Sequence, residues 1–164
     1  MIGIKILIVG SVASGKTTLA KRLSLDSNIN YYEIDSIVYD DENKRKRSIL
    51  EQDEIIKKIN NNGDWIIEGT LRENLYYLLN YADKIIYLDI SKYVRKRRIF
   101  IRFIKQKIGI EKCNYKSTIN MLRMMYVWTN KFERNKGHFE NMLNKYVDKL
   151  IRLCSLDDIN NYNL

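Results

Sequence analysis

The sequence predicts an α/β domain of three layers, in which a five-stranded parallel sheet lies between two layers of helices. Two observations predict this class. Five short apolar runs are each followed by a stretch with helical periodicity, and this alternation is typical of parallel sheets. The first of these runs ends at a glycine-rich loop that opens a helix.

The strands are predicted from short apolar runs bounded by glycine or polar residues. The first run is nearly uninterrupted, as expected of a central strand that is buried on both faces. The five predicted strands are residues 4–9, 31–35, 65–68, 84–89 and 149–153.

The helices are predicted from apolar residues at spacings of three and four. They are residues 17–25, 49–59, 72–81, 92–108, 117–134, 139–146 and 156–162. Two segments lack such periodicity: we expect an exposed loop at 40–47 and a polar connection at 110–116. We expect one domain over residues 1–164, with residues 92–147 forming a helical, basic lid or insertion.

The composition excludes several classes of protein. The content of 45% apolar and 30% charged residues is that of a globular chain rather than a disordered one. No apolar run approaches the roughly 18 residues of a membrane helix, and the start does not resemble a signal peptide. The two cysteines lack a disulfide or metal-ligand pattern, so we expect a cytoplasmic protein with no membrane partner.

The net charge of +9 is concentrated in one part of the chain. Residues 1–91 carry 12 basic and 14 acidic residues, whereas residues 92–152 carry 17 basic and 4 acidic ones. Such a cationic region attracts nucleoside triphosphates, phosphorylated substrates or nucleic acid. The alternative is an ordinary solvated helical surface.

The glycine-rich loop fits the motif G-x-x-x-x-G-K-[ST] at every fixed position. It comprises Gly10, Ser11, Val12, Ala13, Ser14, Gly15, Lys16 and Thr17, with Thr18 next in the helix. In such a loop the backbone N–H groups and the helix N-terminus bind phosphate oxygens. We expect Lys16 to contact the β- and γ-phosphates of ATP, and the Thr17 hydroxyl to bind Mg²⁺.

Three predicted strands end in an acidic residue, namely Asp35, Glu68 and Asp89. In an open parallel sheet, ligands bind beyond the carboxyl ends of the strands. Asp35 could accept the proton of a substrate hydroxyl or hold Mg²⁺ through water. Glu68 could bind the metal or orient the attacking oxygen. Asp89 is the weaker candidate, since it could simply cap the next helix.

The helix at 92–108 is predicted to be amphipathic. Its basic face carries Arg95, Arg98, Arg102 and Lys105, and its apolar face carries Val94, Ile101, Ile104 and Ile108. Arginines on a movable segment can supply positive charge to a phosphoryl group when the segment closes. We therefore expect Arg98 and Arg102 to act on the phosphates.

These segments resemble the adenylate-kinase-like P-loop kinases, and most of all the DNA topology modulation protein family. The likeness rests on residues 10–17, 32–35, 65–72 and 82–89, followed by Arg98 and Arg102. It implies a nucleotide-kinase-like P-loop NTPase fold, with Glu68 near Mg²⁺, Gly69 in the substrate site and Arg72 on an acceptor phosphate. The related kinases usually have aspartate at the position of Glu68, and a proline that this chain lacks.

Two functions from different classes follow. The first is a kinase that transfers the γ-phosphoryl group of ATP to a small-molecule or nucleotide acceptor. The alternative is a nucleotide-binding regulatory protein that acts on DNA topology, and a kinase of nucleic-acid ends would combine the two. The sequence favours the kinase, because a switch has no need of Asp35, Glu68 and Arg72 as an acceptor site.

Overall fold

A computed structural model describes residues 4–40, 42–110 and 118–164. The strands are β1 (Lys5–Gly10), β2 (Tyr31–Glu33), β3 (Tyr39–Asp40), β4 (Arg45–Lys46), β5 (Trp65–Gly69), β6 (Lys84–Leu88) and β7 (Leu150–Leu153). The helices are α1 (Lys16–Ser27), α2 (Ile34–Val38), α3 (Ile49–Asn61), α4 (Leu78–Tyr81), α5 (Lys92–Lys107), α6 (Ile119–Leu143) and α7 (Leu156–Asn161).

Five of the strands form one parallel sheet in the order β2-β5-β1-β6-β7. Helices cover both faces, so the predicted three-layer α/β/α P-loop NTPase fold is confirmed. The register aligns Glu33 with Glu68, and Gly69 with Val9. The carboxyl ends of β2, β5 and β1 therefore lie side by side, at the edge where such sheets bind ligands.

Alternate residues of β1 enter two separate cores, one on each face of the sheet. Leu7 and Val9 pack in a cluster that includes Trp65. Ile6 and Ile8 belong to the other cluster, which includes Leu19 and Leu23 of α1. Each such side chain contributes about 1.5–3 kcal/mol on burial, so the central strand anchors the loop that follows it.

The second strand is shorter than the sequence predicts, and this moves Asp35. The strand β2 ends at Glu33, and Asp35 lies in the first turn of α2 instead of at a strand end. The reason is the close packing of Ile34 on Gly69: a Cβ atom on Gly69 would lie 2.6 Å from the Cβ of Ile34. An acidic residue in the first turn of a helix is also favourable.

The prediction of an exposed loop at residues 40–47 is correct in the exposure of residues 42–46 and in the turn at 42–44, but it misses two short strands. The strands β3 and β4 form an antiparallel pair there, although residue 41 lies outside the described residues. Asp40 is buried and accepts hydrogen bonds from Asn43, and its carboxylate lies 3.8 Å from Arg45 and 3.7 Å from Arg47. Local ion pairs thus order a segment that has no apolar periodicity.

Three helix predictions also need correction. The segment 72–81 is divided into a 3-10 turn (Glu73–Leu75) and α4. The predicted helices at 117–134 and 139–146 are largely one helix, α6, which runs through Gly137. The packing of Thr129, Phe139 and Leu143 along one face outweighs the ~1 kcal/mol that a helical glycine costs. The connection predicted at 110–116 falls almost wholly on residues 111–117, which lie outside the described residues.

The helix α5 does not bury the apolar face that the sequence predicts. Its buried residues are Arg95 and Ile99, whereas Ile101, Ile104 and Ile108 are exposed. The buried arginine is tolerated because three elements supply its hydrogen-bond partners, as described below. No helix among the described residues combines the length and apolar character needed to cross a membrane.

Candidate functional site

The phosphate loop joins β1 to α1 and ends in a helix that no side chain of the described residues caps. Gly15 occupies the N-cap position of α1 with φ of 107°, and Ala13 also has a positive φ of 60°. The Ser14 hydroxyl is buried and has no hydrogen-bond partner among the described residues. An uncapped helix N-terminus with a curled loop is a binding site for phosphate oxygens, so the residues present fit the predicted nucleotide.

Lys16 places its amine inside this loop. Its Nζ donates a hydrogen bond of 2.9 Å to the carbonyl of Ser11. Burial lowers the pKa of the Lys16 amine, while the nearby carboxylates of Glu68 and Asp35 act in the opposite direction. The lysine is therefore a poorly hydrated cation among carboxylates, which favours its interaction with a phosphate.

Glu68 and Thr17 form the second part of the site. The Thr17 hydroxyl donates a hydrogen bond to the Glu68 carboxylate, which is only 3% exposed. Burial raises the pKa of Glu68, and the Lys16 charge and the Thr17 hydrogen bond partly oppose that rise. These two oxygen donors suit Mg²⁺. No group of three metal-ligating side chains exists among the described residues, so phosphate oxygens and water would complete the coordination shell.

Glu33 belongs to the same edge, although its sequence context does not indicate a role in the site. It ends β2 directly opposite Glu68 in the parallel register, and its charge adds to the rise in the pKa of Glu68. The alternation Glu33-Ile34-Asp35 is visible in the sequence. The register that aligns Glu33 with Glu68 is not, because it depends on a pairing between strands far apart in the chain.

Asp35 and Arg72 meet at the mouth of the site. The Arg72 guanidinium lies 3.0 Å from the Asp35 carboxylate and 5.2 Å from the ring centre of Tyr39. The Asp35 side chain is 75% exposed. Two of the residues predicted for the acceptor site, Asp35 and Arg72, are thus in contact. Gly69, also predicted for this site, allows the close approach of α2 described above.

The arginines of α5 occupy three different environments. Arg98 donates hydrogen bonds to the carbonyls of Ala13 and Ser14, at 3.1 and 2.9 Å, and so contacts the phosphate loop. Arg102 is exposed one turn later, beside the cavity between α5 and α6. Arg95 is buried and held by protein groups, so it does not belong to one accessible basic face as the sequence predicted.

Comparison with known families agrees with this geometry. A family model described as "AAA domain" matches residues 6–111, which span the phosphate loop, the acidic edge and α5. The chain belongs to the AAA domain family. No curated protein matches the chain.

Several solved structures share the fold of this AAA-domain chain. Deoxyadenosine kinase from M. mycoides with bound dATP is 15% identical with a TM-score of 0.54, and the match covers 96% of each chain. A gluconokinase from Sinorhizobium meliloti 1021 is 11% identical with a TM-score of 0.54, over 94% of this chain and 84% of that one. Shikimate kinase from Bacteroides thetaiotaomicron is 18% identical with a TM-score of 0.50, over 84% and 82%.

Asp89, the third acidic strand end, has a structural role in this AAA-domain chain. Its carboxylate pairs with Arg152 and lies 2.6 Å from the amine of Lys136. The cap of α5 is Ser91, whose hydroxyl accepts from the Val94 N–H. Asp89 therefore ties β6 to β7 and α6, while Ser91 caps α5.

The raised pKa of Glu68 predicts how stability depends on pH. The native state holds the Glu68 proton more tightly than the unfolded chain, whose pKa is close to 4.5. Stability from this group is therefore lost as pH rises from about 4.5 through the raised native pKa. We expect Glu68→Gln to gain stability relative to the wild type over that window.

The measurement is urea unfolding of both proteins at several pH values between about 4 and 7. Glu73→Gln, at an exposed carboxylate in the adjoining 3-10 turn, is the matched control. A difference for Glu68→Gln that is independent of pH would contradict the assignment.

Proposed function

We propose that this chain is an ATP-dependent phosphotransferase that transfers the γ-phosphoryl group to the hydroxyl of a small acceptor. The observation that carries the proposal is the Asp35–Arg72 pair, which lies beside the acidic edge and within electrostatic range of Lys16. A protein that only binds nucleotide as a switch does not need a carboxylate and an arginine at this position.

The donor side of the site binds the phosphates. Loop N–H groups and the α1 N-terminus hold their oxygens, and Lys16 adds a positive charge on the β- and γ-phosphates. Thr17 and Glu68 would hold Mg²⁺, which when bound neutralises charge that develops on the phosphates. Catalysis at such a site consists mainly of positioning and charge stabilisation.

The acceptor side supplies a base. In the proposed reaction the acceptor oxygen attacks the γ-phosphorus, the bond to the β-phosphate oxygen breaks, and the hydroxyl proton moves to the Asp35 carboxylate. The exposure of Asp35 lets it release that proton to water. A phosphate acceptor has no such proton to lose at neutral pH, so the presence of Asp35 favours a hydroxyl over a nucleoside monophosphate. Arg72 would hold the acceptor.

We place the chain among adenylate-kinase-like enzymes, with the DNA topology modulation proteins as its subfamily, residues 92–147 as a lid within one domain, and the cytoplasm as its location. Three similar structures are named as a shikimate kinase, a deoxyadenosine kinase and a gluconokinase. Their names support the kinase class and do not identify the acceptor.

Arg98 is the lid arginine that we expect to matter most. Its guanidinium lies beside the phosphate loop, and Arg102 is one turn away on the same helix. A planar guanidinium can bind two oxygens at once, which a lysine amine cannot. We expect Arg98→Ala to lower kcat by about 10³-fold with intact folding, and Arg98→Lys to recover little of the loss.

The measurement for these variants is steady-state ADP release with thermal unfolding alongside. Arg97→Ala removes an exposed arginine from the same helix and should leave kcat within about two-fold of the wild type. Equal effects of the Arg97 and Arg98 substitutions would reject the lid assignment.

The basic surface favours a second candidate, a nucleotide-binding regulatory protein that acts on DNA. Exposed cations on α5 include Arg97, Lys105 and Lys107, and this helix carries no acidic residue. A nucleic-acid surface loses affinity steeply as salt rises, with a slope set by the number of neutralised phosphates. DNA binding with that salt slope, unaffected by ATP and without turnover, would support this candidate over the kinase.

An acceptor screen tests the proposal. ADP release would be measured with nucleoside monophosphates, nucleosides, hydroxylated metabolites and 5′-hydroxyl oligonucleotides, using Lys16→Ala as the control for contaminating kinases. The proposal predicts that a hydroxyl compound stimulates ADP release. It predicts no stimulation by monophosphates that have no free hydroxyl to accept the phosphoryl group. Stimulation by a monophosphate whose hydroxyls are blocked would contradict the role of Asp35.

A further inference from the structure

Arg95 joins three separate elements while almost completely buried, with 1% of its surface exposed. Its Nε donates to the carbonyl of Ile90 at 2.8 Å, just after β6, and its Nη1 donates to the Ser11 hydroxyl at 2.5 Å, in the phosphate loop. Its Nη2 donates to the Glu133 carboxylate on α6, and the ring of Phe132 lies 5.6 Å from its guanidinium. All three nitrogens therefore have partners.

Ser11 continues this chain of hydrogen bonds to the phosphate-binding lysine. Its hydroxyl accepts from Arg95, and its carbonyl accepts from the Lys16 amine at 2.9 Å. A hydroxyl that accepts one hydrogen bond retains its own proton as a donor, and the positive charge of Arg95 strengthens that donor. The sequence of contacts Glu133–Arg95–Ser11–Lys16 thus runs from α6 into the loop without a break.

We infer that Glu133 is a positioning residue, which acts through Arg95 and Ser11 to hold the phosphate loop and Lys16 in the arrangement that binds nucleotide. The inference rests on the proposed function only in requiring nucleotide at this loop. Coupling between two sites is reciprocal. Nucleotide bound at the loop therefore stabilises α6 through the same contacts.

Charge alone and positioning predict opposite effects of losing the Glu133 carboxylate on the affinity for nucleotide. The direction of the change therefore distinguishes them. The charge of Arg95 already acts on Lys16, and Glu133 partly neutralises Arg95. Removal of the Glu133 charge makes the loop more positive, which by itself would tighten the binding of an anion. Positioning predicts weaker binding, because Arg95 then loses the partner that fixes its guanidinium on Ser11.

Glu140 offers a matched control on the same helix. Its carboxylate lies 2.6 Å from Arg152 and 3.8 Å from Lys136, and it has no contact with the phosphate loop among the described residues. Glu140→Gln removes the same charge from α6 and breaks an ion pair, as Glu133→Gln does. The two variants therefore differ in one respect: the arginine that loses its partner in Glu133→Gln also contacts Ser11.

The first experiment is calorimetric titration of ADP and of a non-hydrolysable ATP analogue into wild type, Glu133→Gln and Glu140→Gln. We expect Glu133→Gln to weaken binding about ten-fold, within the usual range of coupling between sites, and Glu140→Gln to stay within about two-fold. Equal or tighter binding by Glu133→Gln would overturn the inference. No binding by the wild type would instead reject the proposed function, and the inference with it.

The second experiment separates positioning from a general loss of stability. Hydrogen exchange of α6 amides would be measured with and without ADP in the three proteins. We expect ADP to slow the exchange of amides near Glu133 in the wild type and in Glu140→Gln. In Glu133→Gln we expect no such slowing, even at saturating ADP. Protection of α6 by ADP in Glu133→Gln equal to that of the wild type would overturn the coupling.

Discussion

Lys16→Ala is expected to reduce phosphoryl transfer to the background level while the fold stays intact. The amine carries the positive charge inside the phosphate loop, and its hydrogen bond goes to a loop carbonyl rather than to the core. Loss of one such charge-stabilising group lowers turnover by at least about 10²–10³-fold. The free energy of unfolding should change little, because the amine is half-buried and the desolvation that lowers its pKa opposes its attraction to the nearby carboxylates.

The measurement is ADP release together with thermal unfolding. Lys21→Ala, which removes an exposed lysine from the same helix, is the control and should behave as the wild type. Turnover within a few-fold of normal in Lys16→Ala would show that the catalytic site lies elsewhere. A large loss of stability would show that the lysine has a structural role.

Asp35→Asn is expected to give the second large effect, on kcat and not on ATP binding. The amide keeps the shape of the side chain but cannot accept the hydroxyl proton. General-base catalysis contributes about 10²–10⁴-fold, so a loss in this range is expected. The dissociation constant of ATP should change little, because Asp35 lies on the acceptor side of the site, paired with Arg72.

Two comparisons make the result specific. Asp26→Asn, at an exposed aspartate in the last turn of α1, should leave kcat unchanged. Glu33→Gln tests the neighbouring carboxylate, which ends β2. If Asp35→Asn raises only the KM of the acceptor, the aspartate holds Arg72 in place and is not the base.

Local signals in the sequence were sufficient for most of the fold. The buried strands are continuous apolar runs, and the phosphate loop has a fixed motif between a strand and a helix. Their positions follow from propensity and burial, which depend on neighbouring residues. The end of β2 was misplaced because Ile34 packs on Gly69, a contact between residues far apart in the sequence.

The site was only partly predictable for the same reason. Lys16, Thr17 and Glu68 come together as the motif and the strand ends predict. Glu33 was missed because its pairing with Glu68 depends on strand register. Helical spacing alone predicts an accessible position for Arg95. It cannot show that the buried guanidinium donates hydrogen bonds to Ser11 and Glu133.

The most direct test follows the transferred group itself. ATP carrying a heavy oxygen isotope in its γ-phosphate would be incubated with the wild-type chain and the hydroxyl acceptor found in the screen, and the products would be separated by mass spectrometry. The account predicts labelled phosphate on the acceptor hydroxyl, in amounts equal to the ADP released and absent with Lys16→Ala. Label recovered only as inorganic phosphate would contradict it, since the chain would then hydrolyse ATP and transfer nothing.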